Sequence, residues 1–117
     1  MKRLVVVVCL IALLALSVAP GAFGSSSNHG FTYTAESIGV IKERWRQAVA
    51  AYGYGCFFYC VDSSNTERIG YAYTFGYRTP EGARSGALLE FNGLGMNCLR
   101  QPAEEVGDPV TLRAYGR

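Results

Sequence analysis

Few side chains in this 117-residue sequence are equipped for chemistry. There is one histidine, His29, and there are four cysteines, Cys9, Cys56, Cys60 and Cys98. The charged residues a hydrolytic site would draw on are Glu67, Arg78, Arg84 and Glu90. Any Ser/His or Cys/His relay would have to use His29, and no Gly-x-Ser-x-Gly elbow accompanies it. His29 lies in Ser25-Ser26-Ser27-Asn28-His29-Gly30, whose composition predicts a solvent-exposed segment. Zinc would need Cys56, Cys60, Cys98 and His29 together, and a Cys-x3-Cys without a second close pair is not a ligand framework. No metal and no cofactor is therefore expected.

The cysteines must be read with the compartment. The chain opens Met1-Lys2-Arg3, is apolar from Leu4 to Leu16, then turns small and helix-breaking from Ser17 to Gly24. That order is a secretory signal peptide over residues 1–24, cut before Ser25. A membrane span needs roughly 20 apolar residues, and Pro20 and Gly21 come too soon, so no span is expected in the mature chain. A secreted, extracellular protein follows. With Lys2 and Arg3 removed, the net charge of +2 becomes a balance of nine basic and nine acidic residues. Such a balance gives no reason to expect nucleic acid or anionic lipid as a partner.

Outside the cell, the three remaining cysteines imply one disulfide and one left-over sulfur, or a bridge to a second copy. Cys56 and Cys60 on one strand would be about 13 Å apart, beyond disulfide reach. Cys98 is thus expected to pair with Cys56 or Cys60, a staple worth roughly 3 to 4 kcal/mol on the chain-entropy view. The third thiol leaves a disulfide-linked homodimer open.

The elements that must position these groups begin after a mobile arm, residues 25–34. Residues 35–117 read as a single α+β domain. Thr34 is an N-cap and Glu36 stands in the first turn. Ile38, Ile41, Trp45, Ala48, Val49 and Tyr52 recur at helical spacing until Gly53, which predicts a helix over 35–52. Cys56–Val61 then reads as a strand, 62–65 as a four-residue turn and 66–78 as a longer strand. That loop places Phe58 opposite Ile69 and Cys56 opposite Tyr71. Asn92-Gly93 signals a second hairpin, with Leu89 opposite Met96 and Ala87 opposite Cys98. Residues 101–109 read as a loop and Val110–Tyr115 as a last edge strand. The architecture expected is one amphipathic helix packed on an antiparallel sheet of about five strands.

The long strand puts Tyr71, Tyr73, Phe75 and Tyr77 on one face. Tyr71, Tyr73 and Tyr77 are candidates for stacking on a sugar ring or an unpaired base. The structural reading makes the same row the core side, beneath Trp45, because the small residues opposite it cannot build a core.

Tyr73-Thr74-Phe75-Gly76-Tyr77-Arg78, followed by Arg84, resembles the strand and loop with which extracellular bacterial guanyl-preferring ribonucleases hold the scissile phosphate. The resemblance implies Arg78 and Arg84 as phosphate ligands and Glu67 as general base. The C-terminal histidine of those enzymes has no counterpart here. The chain also ends Gly116-Arg117, which resembles the amidation signal of secreted peptides.

The sequence thus supports a small, secreted, disulfide-stapled binding or interaction protein of the toxin, inhibitor, defence or effector-like kind. Its partner would be an extracellular protein or carbohydrate. The alternative is an extracellular ribonuclease-like hydrolase using Arg78, Arg84 and Glu67. The two differ in whether Arg78, Arg84, Glu67 and Glu90 converge.

Overall fold

The computed structural model describes residues 25–115. Residues 1–24, expected to be a signal peptide, and Gly116-Arg117, which resemble an amidation signal, lie outside the described residues. In chain order the elements are β1 (Ser26–Thr32), α1 (Ala35–Tyr52), β2 (Tyr54–Val61), β3 (Ile69–Tyr77), α2 (Pro80–Asn92), β4 (Ala103–Gly107) and α3 (Pro109–Tyr115). The four strands form one antiparallel sheet in the order β1-β3-β2-β4. Among the described residues this is an α+β fold, but with three helices and four strands rather than one helix and about five strands.

α1 occupies the span expected of it. The Thr34 hydroxyl accepts from the Ser37 amide at 3.0 Å, and Gly53 closes the helix at a φ of 139°. Its apolar stripe of Ile38, Trp45 and Val49 covers Phe57 and the aromatic side of β3, the packing expected from the sequence. The Trp45 ring lies so close to the sheet that a Cβ on Gly55 or Gly107 would meet it at 2.8 or 3.0 Å. Leu112 of α3 joins the same cluster, and α3 packs beside α1.

The opposite face is where the expectation fails. Residues 80–92 form a helix, so the hairpin at Asn92-Gly93 does not exist, and Ala87 and Leu89 pair with nothing across a ladder. Thr79 caps α2, accepting from Gly82 N at 3.1 Å, and Pro80 fits the first helical turn, where its missing N–H has no partner to lose. Ala83, Ala87 and Phe91 then pack onto Cys56, Phe58, Cys60 and Ala72. The small-residue side of β3 is therefore a second core, completed by a helix.

Three further corrections concern strands. Val110–Tyr115 belongs to helix α3: Asp108 Oδ1 accepts from Val110 N at 2.8 Å, capping a helix that Pro109 starts. Residues 103–107, read as loop, are strand β4 on the free side of β2. The β2–β3 register is also shifted: Phe58 faces Ala72 and Cys56 faces Thr74, so Phe57 and Tyr59 join the tyrosines instead. The cause is a longer loop, folded around Asp62. This nearly fully buried carboxylate accepts from Ser64 N at 3.0 Å and Arg68 Nε at 2.9 Å, which holds it below its ordinary value.

Thr74 ties the three layers together. Its carbonyl accepts from Trp45 Nε1 at 2.7 Å, and its hydroxyl donates to Ala83 O at 2.6 Å and accepts from Cys56 N at 3.2 Å. A fully buried polar residue is tolerated here because each polar atom has a partner.

Candidate functional site

The four charged candidates do not converge. Glu67 precedes β3 in the long loop and Arg78 follows the strand's other end, about 25 Å away at the rise of a strand. Arg84 leans from α2 toward β4, where its Nε donates to Glu104 Oε2 at 2.6 Å. Glu90 leans from the same helix toward β1, the far edge of the sheet. A phosphate bridging Arg78 and Arg84 would have to draw Arg84 from its carboxylate, and Glu67 would still lie at the wrong end. Among the described residues no group of three or more His, Cys, Asp or Glu is placed to hold a metal ion, and no helix is long and apolar enough to cross a membrane.

Among the described residues the cysteines resolve into Cys60–Cys98 as the disulfide and Cys56 as the free thiol. Cys56 is fully buried, beside the Glu104 carboxylate, and burial first, then that charge, pushes its thiol up to about 12. The Cys56 thiol is thus enclosed by the fold rather than presented at its surface.

The aromatic row is divided. Gly76 adopts a φ of 80°, which breaks the strand's alternation, and Tyr77 joins the α2 side, where its hydroxyl lies against Gly86. Tyr71 and Tyr73 stay on the α1 side, near-parallel with centroids 6.2 Å apart, and both stack on Phe57. They are half-buried core residues whose outer ends reach over β1. The Tyr71 hydroxyl lies over Gly30, where a Cβ would meet it at 2.8 Å, and the Tyr73 hydroxyl accepts from Asn28 Nδ2 at 3.2 Å.

β1 is thus where chemistry-bearing groups do gather, although composition had marked it as an arm. None of its seven residues is buried. On the α2 side, Glu90 accepts from Ser27 Oγ at 3.0 Å and faces His29 Nδ1 at 2.6 Å. The hydrogen bonds from His29, then Ser27, hold the Glu90 carboxyl below its ordinary value. Beyond them the Arg68 guanidinium sits 4.4 Å from the Phe31 ring centroid, a cation–π contact. The serine bonds the carboxylate and not the imidazole, so this is not the order of a nucleophilic triad.

The backbone of β1 has a definable open side. Asp62 N bonds Arg68 O and Gly76 N bonds Gly53 O, so the even-numbered residues of β3 turn their polar groups toward β2. The odd-numbered ones turn toward β1, where Tyr71 and Tyr73 pair with Gly30 and Asn28. Ser27, His29 and Phe31 therefore point their N–H and C=O groups away from the sheet. In keeping with this, His29 N–H is taken up by Asn28 Oδ1 at 2.8 Å.

No signal short of pairing topology would have found this edge, because a polar seven-residue stretch reads as disorder until β3 is known to need a partner. Comparison with known protein families, with curated proteins and with solved structures finds no match.

Proposed function

We propose that this chain is a small exported interaction protein that takes up an extended segment of a partner protein along the outer edge of β1, adding a fifth strand to its sheet. The observation that carries the reading is the outward row of Ser27, His29 and Phe31 on a strand with no Asp, Glu, Lys, Arg or proline. An edge of that kind is a template for strand addition, in which main-chain bonds supply affinity and flanking side chains supply selectivity. On the α1 side an added strand would pass the hydroxyl ends of Tyr71 and Tyr73, and on the α2 side it would pass His29 and Phe31.

The dispersal of Arg78, Arg84, Glu67 and Glu90 supports binding over phosphodiester hydrolysis. The purified protein is expected to leave RNA uncut, with Arg78→Ala indistinguishable from the parent. For the binding branch, a library of extended peptides would be panned on the immobilised protein. Phe31→Pro, which removes an outward donor and no β1–β3 bond, is expected to abolish capture of the selected peptides. Val106→Pro, on the other edge, is expected to leave it intact. Equal capture by both variants would end the reading.

A further inference from the structure

We infer that the Glu90 carboxylate is a latch that holds β1 on the sheet, so that acidification frees the strand and with it the edge on which a partner would dock. The role given to the edge rests on the function proposed above; the latch itself is a property of the unliganded fold.

β1 adds no side chain to either core cluster, so its attachment rests on the ladder with β3 and on side-chain contacts at its two faces. On the α2 face Glu90 grips two positions of the strand at once, Ser27 at 3.0 Å and His29 at 2.6 Å. Protonating the carboxyl removes the charge that both donors serve. The other charged groups on this face have partners of their own: Arg68, against Phe31, is paired with Asp62. On α2, Glu81 lies more than two turns away and Arg84 is committed to Glu104. β3 presents Gly70, Ala72 and Thr74 to this side, and β2 presents Phe58, the disulfide sulfur of Cys60, and Cys56, whose thiol lies by Glu104.

The direction with pH follows from the carboxyl. Its value in the folded chain is lowered, so its contribution is fully present above the ordinary glutamate range. That contribution is lost as pH falls through the lowered value.

The test is amide hydrogen exchange of the purified protein without ligand, followed residue by residue as protection factors from pH 7 down to about 3. The amides of β1 that bond to β3 are expected to lose about three- to tenfold more protection on the acid side than those of β2, as suits a half-exposed, salt-sensitive pair. Glu90→Gln is expected to start from the lower protection at pH 7 and to show little further fall. His29→Ala, which keeps the Ser27 bond, should start between the parent and Glu90→Gln and show a smaller acid fall than the parent, with β2 protection reporting that the fold is intact. A β1 acid transition unchanged in both variants would overturn the latch, as would β1 protection that does not depend on pH in the parent. Peptide capture at pH 7 is scored separately, so a working latch with no captured peptide would count against the proposed function alone.

Discussion

The two edges of the sheet are built to opposite plans. β4 is five residues long, preceded by Pro102 and followed by Asp108-Pro109, and only Glu104 and Val106 turn their backbone groups outward. Consecutive glutamates fasten it from both faces. Glu104 meets Arg84 of α2, while Glu105 takes a two-pronged contact from Arg46 of α1, each prong 2.7 Å long. Gly107 lets the Trp45 ring lie directly on the strand. β1 is longer, carries no Asp, Glu, Lys or Arg, buries nothing, and beyond its ladder with β3 takes a single ion-pairing carboxylate, reaching across from α2. Short length, charge and neighbouring proline are the devices by which natural sheets blunt an edge. Their presence at β4 and absence at β1 teach that only one side of this sheet is kept open.

The contrast can be broken first in the core. Trp45→Ala removes the plug shared by α1, β2 and β4 and is expected to cost about 3 to 5 kcal/mol in chemical denaturation. Next comes the staple. Cys98→Ser opens a loop of sequence separation 38 and releases the segment that bridges to Asp62 beside β2, for a loss of roughly 3 to 4 kcal/mol by the same measurement. Thr74→Val keeps the shape but takes the hydroxyl acceptor from Cys56 N and the added bond from Ala83 O, at a cost of about 1 to 3 kcal/mol. All three act on the whole fold, so the exchange protection of β4 and β2 should fall together.

The smallest effect sharpens the comparison most. Glu105→Gln is expected to lower global stability by about 1 kcal/mol or less, since the ion pair is part-exposed. The Arg46 bond, with Arg46 and Lys42 charges beside it, holds the Glu105 carboxyl below its ordinary value. Its contribution is therefore present above the glutamate range and lost as pH falls through the lowered value. The variant's stability should accordingly vary less with pH on the acid side. A Glu105→Gln protein with an unaltered acid denaturation profile would remove Glu105 from this account of the edge.

How much of this was legible depended on whether the deciding interaction was local. α1 was readable from end to end because Thr34, the Ile38/Trp45/Val49 stripe and Gly53 all speak within one element. α2 carried equally local signals, Thr79-Pro80-Glu81 at its start and Ala83, Ala87 and Phe91 four apart. A period-two reading of Ala87, Leu89 and Phe91, together with Asn92-Gly93, concealed them. The β2–β3 register turned on Asp62 folding a seven-residue loop about itself, and a buried carboxylate in a turn leaves no mark in periodicity. Glu90 was a candidate by residue type, but its partner lay 61 positions away on a strand too polar to be recognised as one.

The central claim, that β1 offers an open ladder, is tested most directly by amide exchange at Ser27, His29 and Phe31 with and without a captured peptide. These three outward amides are expected to gain protection on binding while those of Asn28, Gly30 and Thr32, already turned to β3, change little. Protection gained at β4 or on α1, with Ser27, His29 and Phe31 unaltered, would contradict it.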